Sequence, residues 1–127
     1  MSIGNALTPR RVIVSGIGLL SSVGSGTDEC WRAVLAGTNG IGPITQFDAS
    51  QFACRIAGEV KGFDPLAYVD KRDVKKMGRF IQFAMAASEF AVQSARLQIG
   101  PDDAERVGVY IGSGIGGLRK GALLSDW

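Results

Sequence analysis

A cluster of glycines follows an apolar run near the C-terminal end of the sequence: Gly112-Ser113-Gly114-Ile115-Gly116-Gly117. Glycine lets the backbone approach another group closely, and a G-x-G-x-x-G pattern after a strand can cradle the phosphates of a dinucleotide. That use requires a following helix and an acidic residue about 20 positions further on, whereas the sequence ends at Trp127. Three alternatives stay open: a dinucleotide-binding module that uses Gly112, Gly114 and Gly117, tight strand-to-loop turns of an α/β sheet, or close packing around a different ligand.

A second group of residues with chemical potential is a set of five cations at the start of the longest predicted helix. Its members are Lys71, Arg72, Lys75, Lys76 and Arg79. The helix dipole opposes cations at this end by up to about 1 kcal/mol each, and Asp70 and Asp73 offset this only in part. A solvated helix face is one interpretation, and a docking patch for an acidic partner is the other.

The sequence has two cysteines and no histidine. Cys30 lies in a helical pattern and Cys54 in an extended stretch, without CxxC spacing, so we expect both to be buried structural thiols. Without histidine, Ser–His and Cys–His nucleophile pairs and His-ligated metals are excluded within this sequence. We expect no metal and no cofactor.

The charge and hydropathy patterns exclude further classes of function. The formal net charge of +2 provides no field that would attract nucleic acid. No apolar run approaches the roughly 20 residues that span a bilayer, and the N-terminal segment does not resemble a secretory signal. We therefore expect a cytoplasmic protein with no nucleic-acid partner and no membrane contact.

The elements that must position these residues alternate between strands and helices. The predicted extended segments are Arg11–Gly18, Ile44–Phe47, Arg55–Val60 and Val107–Ile111. The predicted helices are Asp28–Ala36, which Gly37 ends, a short piece that Asp64 and Pro65 open and that runs through Val69, and a long helix over residues 71–97. This order predicts an α/β fold with a mainly parallel sheet. Gly16-Ile17-Gly18, after the first strand, is a weaker match to the dinucleotide pattern.

Several segments resemble, in the same order, the opening of a β-ketoacyl-acyl carrier protein synthase, and the fit is best to the synthase II type of bacterial fatty acid synthesis. The segments are residues 11–18, Ser22-Val23-Gly24, Trp31 with Leu35-Ala36-Gly37, residues 44–48, Phe63-Asp64-Pro65, Lys76-Met77 with residues 79–82, and Gly112–Leu118. The resemblance covers residues 11 to 118, well under half of a full-length member. It implies a thiolase-like α/β fold, present here as an incomplete N-terminal part of the first βαβ half.

The resemblance also implies a reaction, a decarboxylating Claisen condensation. Malonyl-acyl carrier protein supplies a two-carbon carbanion to an acyl chain held on a cysteine. In the family this cysteine and two histidines lie beyond the point where this sequence stops, and neither Cys30 nor Cys54 matches the nucleophile motif. No catalytic residue is therefore assigned here, and we expect the chain to be inactive by itself. A non-catalytic fragment that binds acyl carrier protein is an alternative.

Two groups of site residues follow from the resemblance. Ile115 matches the position whose side chain gates the acyl pocket, and its neighbours Gly114 and Gly116 leave that side chain room to move. The basic positions that match those meeting the acidic face of acyl carrier protein are Arg72, Lys75 and Lys76. The resemblance further implies a homodimer for the full-length form.

The resemblance divides the sequence into three parts: a flexible N-terminal tail over residues 1–10, the ketoacyl synthase portion over 11–118, and a divergent C-terminal tail over 119–127. Gly78 stands where the family commonly has Asp, inside the predicted long helix. A glycine there costs about 0.5–1 kcal/mol relative to alanine, so we expect the helix to be locally weakened. Uncovered strand edges also predict an aggregation-prone or oligomeric chain.

Overall fold

The computed structural model of the chain describes residues 10–114 and 116. Its helices are α1 (Thr27–Leu35), α2 (Lys71–Val74) and α3 (Arg79–Ala95). Its strands are β1 (Leu20–Ser21), β2 (Gly24–Ser25), β3 (Ile41–Pro43) and β4 (Ile56–Gly58). Single 3₁₀ turns cover Pro65–Ala67 and Ala104–Arg106. The predicted α/β class is confirmed, and no helix in the described part is both long and apolar enough to cross a membrane.

The described strands form two antiparallel ribbons, β1 with β2 and β3 with β4. The mainly parallel sheet expected from the order of elements is therefore not formed by the described residues. The first and last predicted strands, residues 11–18 and 107–111, belong to no described ladder. Val12 is 92% exposed and Tyr110 fully so. An apolar run becomes a strand only when a neighbour accepts its backbone hydrogen bonds, and neither run has such a neighbour among the described residues.

The β3–β4 ribbon lies close to where the sequence predicts extended chain. β4 falls within the predicted segment 55–60, whereas β3 ends one residue before the predicted segment 44–47 begins. The backbone N–H of Ile44 still donates to the carbonyl of Arg55 at 3.0 Å, so the pairing continues one residue past β3. The N–H groups of Thr45 and Gln46 then turn to the carboxylate of Glu59 and leave the ladder.

Helix α1 confirms the predicted end at Gly37 and begins one residue before the predicted start at Asp28. Gly37 has a φ of 65°, and the N–H groups of Gly37 and Thr38 donate to the carbonyls of Val34 and Ala33 in a Schellman motif. At the other end the helix begins at Thr27, and Gly26 precedes it as the N-cap residue. The Thr27 hydroxyl donates to the carbonyl of Ile17, so it links α1 to the N-terminal segment rather than capping the helix.

The single long helix predicted over residues 71–97 is divided into α2 and α3. The break lies at residues 75–78, and Gly78 has an extended ψ of 155°. Its carbonyl accepts the N–H groups of Ile81 and Gln82, which starts α3 afresh. The local weakness expected at Gly78 thus becomes a complete interruption. Helix α3 ends at Ala95, followed by Arg96 in the left-handed conformation with a φ of 50°.

The N-terminal segment packs its backbone against a face of small residues on α3. A Cβ added to Gly18 would collide with the carbonyl of Ala87 and would lie 2.6 Å from the backbone nitrogen of Ala91. A Cβ added to Gly16 would likewise overlap α3, at 2.7 Å from the Cβ of Ala95. Only glycine permits this approach, so Gly16 and Gly18 are explained by helix packing and not by a phosphate cradle.

The segment before α2 docks on α3 through aromatic rings. Phe63 stacks on Tyr68 with ring centroids 5.7 Å apart and meets Phe83 edge-on at 4.9 Å. Tyr68 in turn meets Phe90 edge-on at 5.6 Å. The side chain of Asp64 accepts the N–H of Leu66 ahead of Pro65, which confirms the predicted start of this short helical turn. Helix α3 therefore organises both the N-terminal segment and the approach to α2.

Candidate functional site

An apolar groove of about 620 Å³ lies between α3 and the glycine cluster. The α3 side chains that line it are those of Phe80, Ile81, Phe83, Ala84 and Ala87. The other lining residues are Gly18, Leu19, Leu20, Ile111, Gly112 and Ser113. None of these side chains is ionisable, so the groove suits an apolar chain rather than an anion.

The glycine cluster contains positions of two physical kinds. Gly116 has a φ of 75°, which disfavours any other residue, and a Cβ built there would lie 3.6 Å from Cζ of Phe80. Gly112 and Gly114 have no such conformation, and a Cβ at either would meet no atom of the described residues within 4 Å. The backbone is therefore open at Gly112, which lines the groove, and at Gly114, whereas the ring of Phe80 lies beside Gly116. Ile115 and Gly117 lie outside the described residues.

The basic patch, which we define as Lys71, Arg72, Lys75 and Lys76, is carried by α2 and the two residues after it. All four side chains are exposed. The ammonium of Lys76 pairs with the carboxylate of Asp73 at 2.8 Å. An exposed pair of this kind contributes about 0–1 kcal/mol, so it mainly fixes where that charge sits. Within the described residues no carboxylate forms an ion pair with Arg72 or Lys75, which leaves both free to meet a partner.

Arg79, the fifth cation of the predicted cluster, has a different environment. Its guanidinium lies 5.2 Å from the centre of the Phe83 ring, which is a cation–π contact. This contact places Arg79 against the aromatic packing on α3. We therefore separate it from the basic patch.

One residue of this region escaped the sequence reasoning. Gln82 is only 7% exposed, and its side-chain nitrogen donates to the carbonyls of Val74, at 3.0 Å, and Met77, at 3.1 Å. It thereby joins the end of α2 to the first turn of α3. The available signal was a polar glutamine within the apolar run Phe80–Phe83, but its two acceptors belong to a break in the helix that the sequence did not reveal.

Glu59 fastens the β3–β4 ribbon through the hydrogen bonds of its carboxylate. The Thr45 hydroxyl donates to one oxygen at 2.7 Å, and the Thr45 N–H donates to the other at 3.0 Å. These bonds favour the ionised form and hold the pKa of Glu59 below its usual value of 4.5, with smaller contributions from the Gln46 N–H and the charge of Arg79. The ribbon is therefore tied together by a carboxylate that acid would protonate.

The two thiols lie in unlike environments. Cys30 is 4% exposed and its sulfur lies 3.2 Å from the Ser21 hydroxyl and 3.1 Å from the carbonyl of Gly24, as expected for a structural thiol. Cys54 is exposed, so the prediction that it is buried was wrong. Its neighbours in the loop before β4 leave it at the surface. No three metal-ligating side chains come together anywhere in residues 10–114.

Known proteins with similar sequences are β-ketoacyl synthases, as the motifs of this chain predict. The family model described as "Beta-ketoacyl synthase, N-terminal domain" matches residues 9–126. The chain is 46% identical over 113 residues to a 3-oxoacyl-acyl-carrier-protein synthase 2 of Synechocystis sp., a match that covers 89% of this chain and 27% of that protein. It is 47% identical over 113 residues to the protein of the same name from Vibrio cholerae, with the same coverage.

A solved structure also resembles the fold. It is titled "The ishigamide ketosynthase/chain length factor" and superposes with a TM-score of 0.65 at 39% identity, over 70% of this chain and 22% of that one. The chain thus spans about a quarter of the length of the curated relatives that it matches. The expected thiolase-like α/β fold is confirmed as a partial domain, and the chain belongs to the β-ketoacyl synthase family through the N-terminal domain of that family.

Proposed function

We propose that this chain is the N-terminal portion of a 3-oxoacyl-acyl-carrier-protein synthase. Such an enzyme extends an acyl chain by a decarboxylating condensation. Loss of CO₂ from a malonyl thioester leaves an electron pair on the adjacent carbon, which forms a carbon–carbon bond with the carbonyl of an enzyme-bound acyl thioester. The bond from that carbonyl to the enzyme's cysteine breaks, and the sulfur leaves as a thiolate.

The chain's own contribution to this reaction is binding rather than bond making. Its sequence contains no histidine, and neither of its cysteines matches the nucleophile motif of the family. Its described residues instead offer an apolar groove and an exposed basic patch. A release of CO₂ from malonyl-acyl carrier protein by the purified chain above the blank would contradict this division of labour.

The observation that carries the proposal is the apolar groove beside the glycine cluster. Its volume of about 620 Å³ is within the usual range of small-molecule sites, and its lining is apolar. An acyl chain gains about 0.8 kcal/mol for each methylene that it buries, so affinity would grow with chain length. In this proposal Gly114 and Gly116 form the wall nearest the acyl chain and Ile115 gates it.

The open space beside Gly112, which lines the groove, supplies the test of an acyl pocket. Gly112→Val adds a side chain where a Cβ meets no atom of the described residues within 4 Å, so it fills space without a clash. We expect it to weaken binding of a fluorescently labelled long-chain fatty acid by about fivefold, which corresponds to about 1 kcal/mol. Gly108→Val is the matched control, because a Cβ at Gly108 also meets nothing within 4 Å but that residue does not line the groove. Equal affinity in both variants would contradict the proposal.

The basic patch supports acyl carrier protein as the partner. Its cations are exposed, and Arg72 and Lys75 have no ion-pair partner among residues 10–114, so they can meet an acidic surface without first breaking a contact. Complementary charge of this kind steers association and weakens as salt screens it. We propose that Arg72, Lys75 and Lys76 receive the acidic face of acyl carrier protein.

Charge reversal tests this docking surface. Lys75→Glu is expected to weaken binding of acyl carrier protein by about three- to tenfold at low salt, and the difference from wild type should shrink at high salt. Arg32→Glu is the matched control, because it changes the net charge equally on α1, away from the patch. A titration in which both variants lose the same affinity would show that net charge acts and not the patch.

Two alternatives are weighed against this proposal. A non-catalytic fragment that binds acyl carrier protein also agrees with the absence of histidine and would also release no CO₂. It does not need an acyl pocket, so the fatty-acid titration separates it from the proposal. A dinucleotide-binding module has no observation in its favour, since Gly16 and Gly18 serve helix packing and Gly117 lies outside the described residues. The homodimer implied by the family stays a prediction.

A further inference from the structure

Helix α2 depends on outside contacts because it is very short. It has four residues, and its N-cap residue, Asp70, makes no side-chain capping hydrogen bond. A helix of this length has almost no stability of its own, and its last carbonyls lack partners within the helix. The orientation of the basic patch is therefore decided by the groups that satisfy those carbonyls.

The side chain that does so is Gln82. A neutral amide has two N–H donors on one nitrogen, and the nitrogen of Gln82 meets two carbonyls, those of Val74 and Met77. Val74 is the last residue of α2, and Met77 lies in the break just after it. The donor is buried, so water competes poorly for either bond. These two bonds lie on either side of Lys75 and Lys76 in the sequence.

We infer that Gln82 is a positioning residue for the binding of acyl carrier protein: it holds Lys75 and Lys76 in one orientation relative to α3 without touching the partner. The inference rests on the proposed docking role of the basic patch. Loss of the amide frees the break between α2 and α3, so the cations must be ordered again during binding. The entropy of that ordering is subtracted from the affinity.

Gln82→Met is the direct test, since it keeps a long side chain and removes both donors. We expect it to weaken binding of acyl carrier protein by about three- to tenfold at low salt. Gln93→Met is the matched control: Gln93 is on the same helix, and its amide donates only to the exposed carboxylate of Glu89 at 3.0 Å. Wild-type affinity in Gln82→Met would overturn the inference, as would an equal loss in Gln93→Met.

A combined variant separates positioning from general stability. With Lys71, Arg72, Lys75 and Lys76 all changed to Ala, the patch has no cation left to position, so adding Gln82→Met should change the residual affinity less than twofold. If the amide acts only through overall stability, the same factor will be lost in both backgrounds and the inference fails. If the wild-type protein does not bind acyl carrier protein at all, both the docking proposal and this inference fail. If the wild-type protein binds and Gln82→Met binds equally well, only this inference fails.

A measurement on the wild-type chain covers the case in which Gln82→Met does not fold. The side-chain amide protons of Gln82 should exchange with solvent more slowly than those of Gln93, because only the former are buried and doubly bonded. Exchange of the Gln82 side-chain protons should slow further when acyl carrier protein binds. Equal exchange of the two side chains, or no response of Gln82 to the partner, would overturn the inference.

Discussion

Two pairs of glycines follow two apolar runs in this chain, and they serve different physical ends. Gly16 and Gly18 press the backbone against α3 so closely that a methyl group would overlap the helix. Gly112 lines an apolar groove, and a methyl group at Gly112 or Gly114 would meet nothing in the described residues within 4 Å. The same G-x-G spacing thus marks a packed contact at one end of the chain and an open surface at the other.

The difference shows what a glycine pattern can and cannot indicate. In both places glycine marks a backbone that something approaches, as the pattern predicts. At Gly16 and Gly18 the approaching group is the small face of α3, with Ala87, Ala91 and Ala95. At Gly112 and Gly114 nothing in the described chain occupies the position, which is why we propose a ligand there.

The largest effect is expected on the packed side. Gly18→Ala forces the N-terminal segment away from α3, because the new methyl would overlap the carbonyl of Ala87. Overpacking of this kind costs about 1–3 kcal/mol of unfolding free energy, which urea denaturation would measure. Wild-type stability in Gly18→Ala would contradict the contrast between the two glycine pairs, since the contact of Gly18 with α3 would then contribute nothing.

A smaller effect is expected at Arg96, a residue other than glycine that has a positive φ. Arg96 ends α3 with a φ of 50°, a conformation that costs a residue with a Cβ about 1–2 kcal/mol. Arg96→Gly should therefore raise the unfolding free energy, by about 0.5–1 kcal/mol after the added freedom of the unfolded chain is counted. Gly37→Ala is the reverse control, since Gly37 ends α1 with a φ of 65° in open space. It should lower stability by a similar amount, and the same sign for both would refute this reasoning.

The next effect depends on pH and involves no glycine. The pKa of Glu59 is held below 4.5, so the folded state binds fewer protons than the unfolded state in that range. Its contribution to stability is complete above pH 4.5 and is lost as the pH falls through the lowered pKa. Thr45→Val removes the main hydrogen-bond donor and should flatten the acid limb of the stability curve. Thr38→Val, at an exposed threonine, should leave that limb unchanged, and an unchanged limb in Thr45→Val would contradict the assignment.

The smallest effect on stability is expected at Gly112, which has no close neighbour among the described residues. Gly112→Ala places a methyl group in open space at a residue without a positive φ, so stability should stay within about 0.5 kcal/mol of wild type. Thermal unfolding beside Gly18→Ala gives the contrast directly. A loss as large as that of Gly18→Ala would show that Gly112 is packed and would remove the basis for a ligand at the groove.

Local features were predictable from the sequence because they depend on neighbouring residues. The end of α1 at Gly37 and the short turn opened by Asp64 and Pro65 are both confirmed. Each is closed by hydrogen bonds that span only a few residues. The family was predictable for a related reason, since its motifs are read in order along the chain.

Other features depend on groups that lie far apart in the sequence or on more than one segment. Pairing of residues 11–18 and 107–111 requires a neighbouring strand, so their apolar character alone could not decide it. The two hydrogen bonds that Gln82 donates depend on the break of the helix before Gly78, which frees the carbonyls of Val74 and Met77. The carboxylate of Glu59 reaches across to Thr45, which lies 14 residues earlier.

The sequence by itself determined the α/β composition and the family, and it supplied the glycines and cations that we propose for the site. Each of these is a property of residue type and local order. Only the tertiary structure decided which glycine pair is packed, where the long helix is interrupted, and which side chain bonds the end of α2 to α3. The physical reason is that packing and burial are set by what another segment places beside a residue, and that information is not local.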